Sequence, residues 1–229
     1  MVVSADGLEK QEVRRISFTR RAPGVPYEDF QTHWRGPHAD LARHLPGLRH
    51  YVQNHAVLGP AGPLLAYPGF DVCADLTFED ATVMRSSLSS PEYRASAIAD
   101  QAGFSDMSHL TAMIVDVRVA PDPDPGVDAV KLMTFIRRSA QSEPAPFVEA
   151  FLGAYAAVPA PGSIARELLL AVEDESGTPA YDAIDTLWFP EVEAAVRFTT
   201  SPAAQSARWE LGGLAAGTER LVAREVRVR

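Results

Sequence analysis

Cysteine is nearly absent from this chain: Cys73 is the only one among 229 residues, so no internal disulfide can form and no thiol framework exists for a structural metal. No apolar run approaches the roughly 20 residues needed to cross a bilayer as a helix. The opening stretch, Met1 to Glu12, has no apolar core behind a positive segment, so the expectation is a cytoplasmic protein without membrane association. Basic residues are in deficit, 21 against 30 acidic ones, for a formal charge of −9. That balance argues against general nucleic-acid binding, which needs basic surface to neutralise phosphates. Also missing are a glycine-rich phosphate loop, a dinucleotide fingerprint, a GxSxG elbow and an HExxH pair. What remains, 46% hydrophobic and 22% charged, is the composition of a soluble globular protein that folds as one large or two small domains.

The dominant feature is an internal repeat. Phe18-Thr-Arg-Arg21 returns as Phe135-Ile-Arg-Arg138, and at the same offset of 117 Phe30 falls on Phe147 and Trp34 on Phe151. Further on, Phe70-Asp-Val-Cys-Ala-Asp-Leu-Thr-Phe78 matches Tyr181-Asp-Ala-Ile-Asp-Thr-Leu-Trp-Phe189, and Ser90-Pro91 matches Ser201-Pro202, at 111. A duplicated unit of this length dictates the architecture. Residues 1–119 form the first repeat and 128–229 the second. The linker, 120–127, holds Ala120-Pro-Asp-Pro-Asp-Pro-Gly126, whose alternating prolines prevent a helix and lack the donors of a central strand.

Within the first repeat, Arg15 to Arg21 reads as a strand ended by Pro23-Gly24, and Pro26 suits the first turn of a helix. Phe30, Trp34, Leu41 and Leu45 then share one helical face, with His38 on the same stripe. Pro37 is expected to kink or split this helix, and Pro46-Gly47 to end it. Arg49 to Val57 has the composition of a strand, Gly59 to Pro63 that of a loop, and Phe70 to Phe78 is the clearest strand of all. A helix from about Phe78 to Ser87, a looser helical stretch after Pro91 and a strand over roughly Leu110 to Val119 complete the unit. The order β-α-β-β-α-β is that of a ferredoxin-like split unit. The fold class is therefore α+β: two tandem ferredoxin-like repeats closing an intramolecular barrel, with the helices outside.

Candidate chemistry concentrates in the first repeat, because His38 falls on Tyr155 and Asp75 on Thr186 in the second. A partly buried imidazole one turn from Trp34 exchanges protons near neutral pH, though a core histidine satisfied by a backbone carbonyl would have the same spacing. On the strand Phe70 to Phe78, Asp71, Cys73 and Asp75 alternate with an apolar set and should face the barrel, where a desolvated carboxylate could orient a histidine. A structural salt bridge to Arg20 or Arg21 competes with that role. Asp182 preserves Asp71 in the copy without the histidine, which points to a shared structural task. Tyr51, Gln53 and His55 share one strand face and His50, Val52 and Asn54 the other; either set could line a cavity, and Tyr51 and His55 suit a flat oxygenated ligand. The histidines between His33 and His55 do not fall at metal-ligand spacings.

Three segments, Phe18-Thr-Arg-Arg-Ala-Pro-Gly24, Phe30-Gln-Thr-His-Trp-Arg-Gly-Pro-His38 and Leu45-Pro-Gly-Leu-Arg-His-Tyr-Val-Gln-Asn-His55, resemble the EthD family of the dimeric α+β barrel superfamily. Ser90-Pro-Glu-Tyr93 is similar as well, whereas the second half lacks the Trp-Arg-x-x-His signature. Most members of that family are single-repeat chains that dimerise, so the resemblance implies a pseudo-dimer within one chain, with further oligomerisation open. It also implies chemistry without a cofactor or metal, as a lyase, cyclase or isomerase acting on a small, apolar, oxygenated compound of polyketide or aromatic type. In that reading His38 is the acid–base group and Asp75 its partner, with Trp34, Tyr51, His55 and Asp71 around the substrate. Two alternatives stay open: a noncatalytic ligand-binding or stress-linked barrel, and a haem protein.

Overall fold

A computed structural model describes residues 11–60, 62–157, 160–172 and 179–229. The opening segment up to Lys10, read above for targeting signals, lies outside the described residues, as does residue 61 of the expected 59–63 loop.

The first repeat begins with β1 (Val13–Arg21). Helix α1 follows in three parts, Tyr27–His33, a π turn at Trp34–His38, and Ala39–Ala42. Next come β2 (Leu48–Ala56), a small hairpin of β3 (Leu58–Gly59) and β4 (Gly62–Pro63), and β5 (Val72–Phe78). Helix α2 (Ala81–Ser89) starts at Asp80, whose side chain accepts from Val83 N. Helix α3 runs through Pro91–Tyr93, a second π turn at Arg94–Ile98, and Ala99–Phe104, leading into β6 (Ser105–Val119). The second repeat holds β7 (Val130–Arg138), α4 (Pro144–Ala157), β8 (Ala165–Val172), β9 (Ala183–Phe189), α5 (Val192–Thr199), α6 (Pro202–Leu211) and β10 (Ala215–Arg227).

All eight long strands close one antiparallel barrel in the order β1-β5-β2-β10-β7-β9-β8-β6. Each repeat contributes four neighbours in the same relative order, β6-β1-β5-β2 and β10-β7-β9-β8, as the duplication requires. The repeats join at two seams, β2 with β10 and β6 with β8, so the barrel sheet has no open edge. Helices cover the outside, with apolar clusters between helices and sheet in both repeats and another inside the barrel. Val72, Ala74, Leu76 and Phe78 pack outward against Phe30, Trp34 and Leu45 of the helical layer. Ile16, Phe18, Cys73, Met113, Met133 and Phe135 fill the barrel.

Three local expectations are revised. Pro37, expected to kink α1 or split it into two segments, lies inside a π turn between two α-helical segments, which accommodates a residue without an N–H by changing the hydrogen-bond step. The helix expected from Phe78 begins at Ala81, where Asp80 supplies the cap. The last strand of the repeat begins at Ser105 instead of near Leu110, because Ser105 and Asp106 pair with Arg21 and Arg20 beyond a register shift in β1.

Candidate functional site

Registry decides which face of β2 meets the helices. Tyr51 lies opposite Leu76 and Gln53 opposite Ala74, both on the helix side of β5, whereas Val52 lies opposite Asp75. Tyr51, Gln53 and His55 therefore point toward α1 and α3, and Val52 and Asn54 into the barrel.

On the helix side, Gln53 Nε2 donates to the Trp34 carbonyl at 2.7 Å and to the Tyr51 hydroxyl at 2.9 Å. Both amide hydrogens are thus committed, which leaves Gln53 Oε1 to accept from His55 Nε2 at 2.9 Å. The Trp34 and His55 rings lie 4.4 Å apart. From Trp34 a run of ring contacts, Trp34 to Phe30 at 6.0 Å, Phe30 to Phe104 at 5.6 Å and Phe104 to His38 at 5.2 Å, carries the same layer to the second histidine. Burial, reinforced by the charge of Arg35, pushes the His55 imidazole down to about 3, so it is neutral in ordinary buffers.

His38 is 7% exposed and sits at the end of the first π turn. Its partner is not Asp75 but Asp100, which follows the second π turn: Asp100 Oδ2 lies 2.9 Å from His38 Nδ1, and Asp100 Oδ1 lies 2.9 Å from His33 Nε2. Burial lowers the His38 pKa, and the hydrogen bond and charge of Asp100 oppose that fall without cancelling it. The neutral imidazole donates from Nδ1 to the carboxylate, so its lone pair is on Nε2, which makes no hydrogen bond among the described residues.

Asp75 takes a different place. It faces the barrel as expected, but Arg14 Nε bonds it at 2.9 and 3.0 Å while Arg14 also bonds Glu167 of the second repeat. Burial works against the guanidinium charge, yet the two carboxylates outweigh it and hold Arg14 well above its usual range. The sheet itself separates Asp75 from His38, so the expected partnership does not form. Asp71 belongs to neither group: its Oδ2 accepts from Arg21 N at 2.9 Å and from the Tyr67 hydroxyl at 3.0 Å. Asp182 repeats the first bond, accepting from Arg138 N at 2.7 Å, so the pair is a duplicated structural clamp. Cys73 is buried, and burial pushes its thiol up to about 12, which leaves it unreactive. Among the described residues no group of three or more His, Cys, Asp or Glu is placed to hold a metal ion.

The family model of the EthD domain matches residues 22–108. The first repeat is an EthD domain. Trp34, His38, Tyr51, Gln53, His55 and Asp100 all lie within the matched segment. No curated protein matches the chain. Solved structures resemble the whole barrel. An anthrone oxidase-like protein superposes with a TM-score of 0.70 at 13% identity, over 99% of this chain and 94% of that one. A candidate monooxygenase from Fusobacterium nucleatum subsp. nucleatum gives 0.60 at 7%, over 94% and 92%; another, from Lactobacillus acidophilus NCFM, gives 0.53 at 11%, over 96% and 95%. At these identities the likeness is one of fold.

The second repeat supplies an internal control for the EthD half. Asp75 corresponds to Thr186; Val52 pairs with Asp75 and Glu167 with Thr186, so Gln53 corresponds to Leu168 and His55 to Leu170. With Phe151 for Trp34 and Tyr155 for His38, the equivalent layer packs as one apolar cluster together with Ala207 and Leu211 of α6. Its polar pair is Arg166 with Asp185, at 2.8 Å.

Sequence reasoning missed Asp100, and the strand pairings show the length difference that accompanies it. Ser90 and Ser201 cap corresponding helices 111 residues apart, whereas Ser105 and Ala215, which pair with the corresponding Arg21 and Arg138, are 110 apart. The first repeat therefore carries one extra residue in between. A π turn absorbs one inserted residue, and such turns concentrate at functional sites.

Proposed function

We propose that the chain is an enzyme that transfers a proton on a small, apolar, oxygenated compound of polyketide or aromatic type, in a lyase, cyclase or isomerase reaction run by its own side chains. The observation that carries this reading is the asymmetry between repeats: one fold holds His38, Gln53 and His55 where its copy folds with Tyr155, Leu168 and Leu170. The polar set is therefore not required by the architecture. Polar groups in a buried layer cost stability where hydrocarbon would serve, which supports their retention for function.

In this mechanism His38 Nε2 removes a proton from carbon next to a carbonyl. The imidazolium that forms is stabilised by Asp100 through the Nδ1–H bond, and it returns the proton to a departing or newly formed oxygen. Trp34 and the Gln53–His55 pair wall the apolar layer and exclude water.

A deuterium-exchange assay on a panel of anthrones and 1,3-diketones tests the reading. The protein should accelerate exchange at the acidic carbon, and His38→Ala should lose about 100- to 10,000-fold of that acceleration while the fold persists. Unchanged affinity with no exchange in either protein would favour a binding protein instead. A second reading makes the same proton removal the opening step of oxygenation, because proteins of similar fold include an anthrone oxidase-like protein and candidate monooxygenases. Oxygen uptake during turnover separates the two.

A further inference from the structure

We propose that His55 Nδ1 receives a hydroxyl hydrogen from the ligand, so that the compounds taken by the helix side of the EthD domain are phenols or enols, not merely apolar carbonyl compounds. This rests on the reading of that layer as the ligand site, and it adds the group by which the ligand is recognised.

The argument starts from a proton count. Gln53 spends both amide hydrogens on the Trp34 carbonyl and the Tyr51 hydroxyl, which fixes its Oε1 as an acceptor. The hydrogen facing Oε1 is therefore on His55 Nε2, and in a neutral imidazole the other nitrogen must then be a bare acceptor. That nitrogen, Nδ1, is buried and finds no hydrogen-bond partner within the protein. The whole residue is 2% exposed. A buried acceptor left unpaired destabilises the folded protein, and the cost disappears when a donor arrives. Protonation does not supply one, since burial and Arg35 keep this imidazole neutral down to about pH 3.

The second repeat shows that the fold does not need the group, because Leu170 occupies the corresponding position, buried within an apolar cluster. The ring of Trp34 packs on the His55 ring at 4.4 Å, so the surroundings of the acceptor are aromatic. A bare, dry acceptor in aromatic surroundings suits a planar compound with an O–H at its rim. A site that hydrogen-bonds a hydroxyl rejects analogues lacking it far more strongly than an apolar pocket discriminates by size.

Three probes of nearly equal shape separate donor recognition from apolar burial: 1-naphthol, 1-methoxynaphthalene, which keeps the oxygen but not its hydrogen, and 1-methylnaphthalene. Binding is read by calorimetry, and by the 15N resonance of His55 Nδ1 in labelled protein. The expected result is that 1-naphthol binds at least tenfold more tightly than the other two, and alone shifts the Nδ1 resonance. In His55→Leu, the residue the second repeat already uses, the three affinities should converge. Equal affinities in the wild type, no binding by any probe, or an unmoved Nδ1 resonance would each overturn the proposal. The resonance keeps the test decisive even where His55→Leu fails to fold. His38→Ala should retain the naphthol preference; if it does while deuterium exchange is absent from the wild type, the recognition stands and the proposed reaction falls.

Discussion

His38 Nδ1 and Asp100 Oδ2 lie 2.9 Å apart, joining the last residue of one π turn to the helical segment that follows another. Each helix carries a π turn beside the residue that it presents: His38 ends the first, and Asp100 follows the second by two residues. Asp100 also holds His33 by its other oxygen, so one carboxylate serves a buried histidine and a more exposed one.

Removing that charge should act directly on His38. In Asp100→Asn, His38 loses the group that favours its protonated form, and its pKa, followed by NMR titration, should fall further. Turnover should drop roughly tenfold or more, about 1.4 kcal/mol of transition-state stabilisation. His33→Gln should act in the opposite sense, raising the His38 pKa, because a neighbouring like charge is removed. A His38 midpoint indifferent to both changes would rule out the shared-carboxylate arrangement.

Stability should fall on acidification through His55. Its folded pKa, about 3, lies below the usual histidine value, so the unfolded chain binds the proton first as pH drops below about 6.5. Stability contributed by the neutral form is fully present above that value and is lost toward pH 3, with a slope of up to about 1.4 kcal/mol per pH unit. Urea titrations at pH 7, 5 and 4 on the wild type and His55→Leu test this. The variant should lose less stability, and parallel curves would contradict the assignment.

Asp75 should prove structural. Asp75→Ala removes a buried partner of Arg14 and should cost about 3 kcal/mol, somewhat relieved by Glu167, which still holds the guanidinium. Asp75→Asn should leave the His38 titration where it is, because the two face opposite sides of the sheet. A displaced His38 midpoint would show coupling through the barrel wall.

The sequence by itself determined the duplication, the β-α-β-β-α-β order and the closed pseudo-dimeric barrel, because repeats and alternating apolar patterns are local properties. The alternation along Val72 to Phe78 also assigned its two faces, since a strand places successive side chains on opposite sides. Phe70, expected on the helix face, precedes the strand and packs in the barrel instead. Retention of Asp71 as Asp182 announced a shared structural task, and both are backbone clamps. Tertiary structure alone decided the partners. His38 and Asp75 vanish together from the second repeat, yet a common loss carries no distance, and a sheet stands between them. The face of β2 that meets the helices depended on its registry with β5, which no pattern within Arg49 to Val57 contains. Asp100 follows a π turn in the stretch where the first repeat carries an extra residue, and its partner His38 is 62 residues away in the chain, a separation that no local pattern bridges.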